Sequence, residues 1–180
     1  MGLYFVRHGQ TDWNVEGKLQ GKSDIPLNDT GRAQAALTRE QLSDVKIDKI
    51  YCSPLMRAKE TASIINELWN LPIHEEERLM ERSFGKNEGI HRDQIAFSDL
   101  WIYDTASMFE GGEDTASFYA RVTSFLDEIR EEAKEHEILL VAHGGVSIPF
   151  QCYFDGYDTA EDLSDRIIAN CQVVHYTVDN

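Results

Sequence analysis

The chain has 180 residues, 42% of them hydrophobic and 27% charged, the profile of a globular chain able to bury a sizeable core; one domain over residues 1–180 is expected. Seventeen Lys and Arg stand against thirty-two Asp and Glu, a formal charge of −15, which argues against nucleic acid or an anionic membrane as main partner. Cys52, Cys152 and Cys171, without C-x-x-C spacing, fit neither a disulfide framework nor a zinc site, and with no secretory signal or long apolar run the chain is expected in the cytoplasm.

Residues 3–7 form an apolar run that predicts a strand, followed by a polar, glycine-rich loop from His8 to Leu27. Asn28 or Asp29 can cap a helix over 30–43, with Ala33, Ala36, Leu37 and Leu42 inward. Ile47–Cys52 predicts a second strand. Ser53-Pro54 reads as an N-cap followed by proline at the first helical position, opening a helix to about Trp69 with Ala58, Ala62, Ile65 and Leu68 on one face. Pro72-Ile73-His74 suggests a short strand, 79–90 an irregular loop and 91–109 a helix. After Gly111-Gly112, a long amphipathic helix over 113–135 turns Phe118, Val122, Phe125, Leu126 and Ile129 inward. A strand at 137–142 leads through Gly144-Gly145 into a helix carrying Val146, Ile148, Phe150 and Cys152. Asp158 or Thr159 is expected to open a further short helix, and Gln172–Val178 a final strand. The βαβ alternation predicts an α/β fold: a doubly wound, mostly parallel sheet with helices on both faces.

The first and fourth of these strands both end in His-Gly, at His8 and His143. Ligands of open α/β sheets bind beyond the carboxyl ends of parallel strands, so the two imidazoles should share one rim. Arg7 adds a permanent cation there, and Arg57 stands in the first turn of the helix after the second strand, where free amides favour an anion. For Arg57 taken alone, a solvent-facing helical arginine is the ordinary reading; its coincidence with Arg7 favours a phosphate clamp. Gly17-Lys-Leu-Gln-Gly-Lys-Ser23 lacks the spacing of a P-loop, and Gly145-Val-Ser147-Ile-Pro149 is not a nucleophile elbow. No cluster of histidines or cysteines has ligand spacing, so neither metal nor other cofactor is expected.

Four segments in order, Val6-Arg-His-Gly-Gln-Thr11, Ser53-Pro-Leu-Met-Arg-Ala58, Leu79-Met-Glu-Arg-Ser-Phe-Gly85 and Val141-Ala-His-Gly-Gly145, resemble the histidine phosphatase superfamily in its phosphoglycerate-mutase-like branch. The resemblance implies that His8 is the nucleophile and becomes phosphohistidine. It implies that Arg7, Arg57 and His143 hold the phosphoryl oxygens, and that Glu81 protonates the leaving oxygen and then activates water. Asn14, Gln20 and Gly144 are implied as lining for phosphate or substrate. Glu113, after Gly111-Gly112, matches a Gly-Glu motif; it either orients an active-site histidine or merely favours a helix N-terminus. Without the motif, Glu81 would read as one more surface glutamate beside Glu75, Glu76 and Glu77.

The sequence departs from the family in two places. Asn87 stands before Glu88-Gly89 where related phosphatases often carry an aromatic residue. Residues 90–112 hold Arg92 but no arginine pair and no proline, the features of the longer mutases. The expected activity is therefore metal-independent hydrolysis of a small phosphorylated metabolite, with phosphoglycerate mutase as one alternative and a non-catalytic phosphate-binding or interaction module as another. A homodimer is left open. Trp101, Tyr103, Met108 and Phe109 either line a lid over the leaving group or belong to the core, the latter being preferred.

Overall fold

The computed structural model describes residues 1–104 and 109–178. A five-stranded sheet has the order β3-β2-β4-β1-β5, with β1 Gly2–Arg7, β2 Lys49–Cys52, β3 Ile73–Glu75, β4 Glu137–Ala142 and β5 Val173–Thr177. Strands β1 to β4 run parallel, and β5 pairs antiparallel with β1. The α-helices are α1 Asp12–Val15, α2 Asp29–Gln41, α3 Met56–Asn66, α4 Thr115–Ala133 and α5 Ser147–Asp155. This is the α/β fold expected.

Strand β4 is apolar from Ile138 to Ala142 and needs cover on both faces. Leu139 and Val141 join Val6 and Ile50 under Leu42 and the α3 residues Ala58, Ala62 and Ile65. Ile138, Leu140 and Ala142 face the other way, with Leu3 and Phe5, onto Phe118, Val122, Phe125, Leu126 and Ile129 of α4 and Ile148 and Phe150 of α5. Each large side chain buried this way contributes about 1.5–3 kcal/mol of transfer free energy. The two outermost strands, β3 and β5, are short and only partly buried, as sheet edges tend to be.

Local signals account for the starts of α2 and α4. The Asn28 side chain accepts from Gly31 N at 2.9 Å, and Asp114 accepts from Ser117 N at 2.8 Å. Elsewhere tertiary packing overrides the sequence pattern. In α2 the inward residues are Gly31, Ala35 and Thr38, whereas Leu37 is 64% exposed and Ala33 faces solvent. Leu68 likewise lies beyond the end of α3, partly exposed.

Helix α3 starts later than Ser53-Pro54 suggests. Its N-cap is Leu55, whose side chain caps nothing, and the free amide of Met56 is taken by the carboxylate of Asp24 at 2.7 Å. The expected anion site at this helix start is thus filled from within the chain. The described part of the expected helix over 91–109 is not α-helical: 3₁₀ turns at Arg92–Gln94 and Ser98–Trp101 are separated by Ile95 in an extended conformation, and 105–108, Met108 among them, lie outside the described residues. Aromatic packing shapes this stretch, with Trp101 against Phe84, Phe97 and Phe118. The short helix expected near Asp158 is replaced by a 3₁₀ turn at Ser164–Arg166. Among the described residues no helix is long and apolar enough to cross a membrane.

Candidate active site

Strands β1, β4 and β2 are neighbours, so their carboxyl ends open side by side. Register aligns Arg7 with Ala142 and Cys52 with Val141, and therefore sets His8, His143 and Ser53 at one rim. The rings of His8 and His143 meet edge-on with centroids 5.2 Å apart. Beyond them a cavity of about 110 Å3 is lined by Arg7, His8, Asn14, Gln20, Arg57, Glu81 and Gly144 among others. Nearly every residue expected at the site lies here. His143 is the exception: it does not line the cavity but stands fully buried behind His8.

His8 has a defined orientation. Its Nδ1 lies 2.7 Å from the carbonyl oxygen of Gly9, which assigns the proton to Nδ1 and leaves the lone pair on Nε2. Arg57 Nε donates to that Nε2 at 3.3 Å. Burial foremost, then the charges of Arg57 and Arg7, hold the His8 pKa well below the ordinary imidazole value. His8 is thus a neutral base whose electron pair on Nε2 is met by Arg57 Nε. His143 is held down in the same way, by burial first and then by Arg57 and His8. Its Nε2 lies 2.7 Å from Ser53 Oγ. Ser53, expected as a helix cap, instead orients this imidazole.

Arg57 is a buried cation and Arg7 a half-buried one, a costly state unless acceptors compensate. The fully buried Arg57 gives Nη1 to Ser23 O at 2.8 Å and Nη2 to Gly21 O at 2.7 Å, and burial pulls its pKa down to about 10. Arg7 gives Nη1 to Ile168 O at 2.7 Å, and burial lowers its pKa as well. Neither forms an ion pair within 4 Å among the described residues. Arg7 Nε and His143 Nδ1 are buried and have no hydrogen-bond partner among the described residues. Buried polar groups left unpaired are costly, so the site carries unused capacity for polar contacts beside His8.

Glu81 supplies the carboxyl group of the site. Its Oε2 accepts from Gly145 N and its Oε1 from Arg82 N, both at 2.9 Å. Each oxygen keeps a further acceptor direction. The backbone of Glu81 is held in turn by Arg121 of α4, whose Nη2 donates to Glu81 O at 3.1 Å. Glu113 grips Arg121 at 2.6 and 2.9 Å. Glu113 therefore touches no histidine among the described residues; it lies one residue before Asp114, the N-cap of the helix.

Asn14 and Gln20 meet at Thr11, whose hydroxyl oxygen lies 3.1 and 3.0 Å from their side-chain oxygens and shares its one proton between them. Some lining residues have no sequence signal of their own. Trp13, Lys18, Phe97 and Ile167 reach the cavity from three separate segments, and Arg92 joins them. Asn170, also unforeseen, donates to His8 O at 2.9 Å and so ties the last loop to the end of β1. Trp101 serves in both ways weighed for it: it is 2% exposed within the core and one edge lines the cavity. Tyr103 packs against Tyr119 and Tyr157. Among the described residues no group of three or more His, Cys, Asp or Glu side chains could hold a metal ion.

An α/β sheet with paired imidazoles and guanidinium groups at one strand-end rim defines a class of enzyme that handles phosphoryl groups. Comparison with known proteins narrows the class. Residues 3–180 match the histidine phosphatase superfamily, branch 1. The protein called uncharacterized phosphatase PhoE from Bacillus subtilis is 39% identical over 168 residues, covering 92% of this chain and 83% of its own. Phosphoserine phosphatase 1 of Hydrogenobacter thermophilus is 33% identical over 182 residues, covering 98% and 84%. Among solved structures, the mycobacterial glucosyl-3-phosphoglycerate phosphatase superposes with a TM-score of 0.82 at 27% identity, over 97% of this chain and 88% of that one. The chain belongs to the histidine phosphatase superfamily, branch 1, and is a phosphatase.

Proposed function

We propose that the protein is a cytoplasmic, metal-independent phosphomonoesterase that acts on a small phosphorylated metabolite through a phosphohistidine on His8. The observation that carries this reading is the His8 imidazole itself: Nδ1–H is committed to Gly9 O, so Nε2 is unprotonated, and its electron pair, on the cavity-lining His8, accepts from Arg57 Nε at 3.3 Å until phosphorus displaces that contact. A neutral imidazole is a competent nucleophile, and a covalent intermediate divides one hard step into two easier ones. In the first step Nε2 forms a bond to phosphorus. The ester P–O bond breaks, its electron pair stays on the leaving oxygen, and Glu81 gives that oxygen a proton. In the second step water attacks phosphorus and gives a proton to Glu81. The P–N bond breaks and its electron pair returns to Nε2.

Arg57 and Arg7 would carry the negative charge on the phosphoryl oxygens, Arg7 through its Nε, a donor without a partner among the described residues, while His143, expected as a third phosphoryl ligand, stands behind His8 and would have to turn toward the cavity to reach them. Asn14, Gln20 and Gly144 would complete the pocket wall. Such positioned donors supply the greater part of catalysis in phosphoryl transfer. This cationic donor set takes the place that a divalent ion fills in other phosphoryl-transfer sites. The scarcity of basic residues in 90–112 favours hydrolysis over mutase activity, because a mutase must anchor a substrate carboxylate firmly while water is excluded.

The test is hydrolysis of p-nitrophenyl phosphate and of 3-phosphoglycerate, with and without chelator. Phosphate release that persists in EDTA, is inhibited by vanadate and exceeds formation of 2-phosphoglycerate is expected. Loss of activity with chelator and recovery with Mg2+ would overturn metal independence. Mutase turnover above phosphate release would reverse the choice of reaction.

A further inference from the structure

The Glu88 carboxylate lies outside the site as described, yet it gathers donors from two segments that build it. Oε1 accepts from Lys22 N at 3.0 Å and from Phe84 N at 3.2 Å. Oε2 accepts from Ser23 N at 2.8 Å and from Ser23 Oγ at 2.6 Å. Hydrogen bonds to an ionised acceptor are roughly twice as strong as neutral ones. Such a convergence on one side chain fixes the loop Gly21–Ser23 against the turn that follows Glu81.

The consequence for catalysis runs through a single peptide plane. Lys22 N–H and Gly21 C=O belong to the same peptide unit, and in a trans peptide they point in opposite directions. Glu88 draws the N–H one way; the C=O is thereby aimed the other way, where it accepts from Arg57 Nη2 at 2.7 Å. Ser23, held by its N–H and hydroxyl, likewise presents its carbonyl to Arg57 Nη1 at 2.8 Å. These carbonyls orient the guanidinium that places Nε against His8 Nε2. Gly21 fits the same purpose: its φ is +52°, and a Cβ there would collide with Glu88 Oε1. The negative charge of Glu88 also favours the charged form of Arg57.

We propose that Glu88 is a positioning residue that, through the Gly21–Lys22 peptide and Ser23, sets the orientation of Arg57 and so the affinity of the site for a phosphoryl group. The proposal rests on the reading of Arg57 as a phosphoryl ligand. Misplacement of a binding group by about an ångström can cost about a hundredfold.

The experiment is a double-mutant cycle read by calorimetric binding of inorganic phosphate, with thermal melts as the check on folding. Glu88→Gln, whose amide nitrogen cannot accept from the loop amides, should weaken phosphate binding by about ten- to a hundredfold in the otherwise unchanged protein. In an Arg57→Ala background the same change should have no further effect. Gly21→Ala, which displaces the carboxylate from the other side, should reproduce the Glu88→Gln loss and carries the test should that variant fail to fold. Unchanged phosphate affinity in both variants would overturn the proposal. An equal loss with and without Arg57 would also overturn it, leaving the proposed function intact. If Arg57→Ala alone bound phosphate normally, the reading of Arg57 as a phosphoryl ligand would fall first, and this inference with it.

Discussion

Arg57 Nε sits 3.3 Å from His8 Nε2, donating to the one lone pair on that imidazole. The contact aims the ring and keeps it neutral before substrate arrives. With a phosphoryl group on Nε2, the guanidinium is left beside the equatorial oxygens. His8→Ala should therefore lower kcat by about 10³-fold or more while the protein still melts cooperatively. Acid-labile, base-stable labelling from a phosphorylated substrate should vanish with it. Near-normal turnover by the alanine variant would remove His8 from the chemistry.

Arg57→Lys keeps a charge but loses the fork. The guanidinium uses Nε, Nη1 and Nη2 on three different acceptors, a geometry that an ammonium cannot reproduce. We expect kcat/KM for p-nitrophenyl phosphate to fall by roughly ten- to a hundredfold, corresponding to about 1.4–2.7 kcal/mol of transition-state stabilisation. A lysine variant within twofold of wild type would mean that charge alone suffices.

The pH dependence follows from the depressed imidazoles. His8 and His143 titrate near about pH 6.5 in an unfolded chain and well below that when folded. Between those values the unfolded state binds more protons, so stability rises with pH. It is complete above about pH 6.5 and declines as the pH falls from there toward the folded values. Urea midpoints near pH 5 should be lower than near pH 7.5, and His8→Asn combined with His143→Asn should flatten the difference. For the same reason kcat/KM should not lose activity through pH 6.5 on account of His8. An acid limb centred there and absent from His8-independent phosphate binding would contradict this.

Glu81→Gln should slow hydrolysis most for esters of poorly acidic alcohols, because those leaving oxygens need the proton most. A loss of about 10²–10⁴-fold for alkyl phosphates, and a much smaller one for p-nitrophenyl phosphate, is expected. A loss independent of leaving-group pKa would assign Glu81 to the water step alone.

Gly9 is required by packing. A Cβ there would run into the backbone carbonyl of Gly31 at the start of α2, while Gly9 N is engaged by Thr61 Oγ1 at 3.0 Å. Gly9→Ala should cost roughly 1–3 kcal/mol of stability, measured by urea unfolding. An unchanged midpoint would mean that α2 moves freely away.

Several features of this chain were legible before any coordinates. The runs at 3–7 and 137–142 are strands because uninterrupted apolar residues need cover on both sides, and the periodicity of 113–135 gave α4 its inward face. His8, Arg7, Arg57 and His143 were readable because strand-end positions carry ligands in such sheets and the motifs name them. Glu81 was readable only through its motif, since its local surroundings are those of an acidic surface turn.

Other features depend on contacts between residues distant in the chain, which no local pattern encodes. Register between β1, β4 and β2 decides that His8, His143 and Ser53 share a rim. Asp24, far from α3 in sequence, caps its first amide, and Ser53 turns to His143 instead. The stretch 91–109 has helical composition, yet its described part is held in 3₁₀ turns, with Trp101 packed on Phe84 and Phe118 from other segments. Glu88, Arg121 and Asn170 act through backbone groups of other segments, and a backbone donor or acceptor has no letter in the sequence. Composition and periodicity thus determined the layers, and the resemblance to a known family pointed to the motif residues. Only the tertiary structure decided which carbonyls, amides and charges surround them, because those partners are set by how the segments pack together.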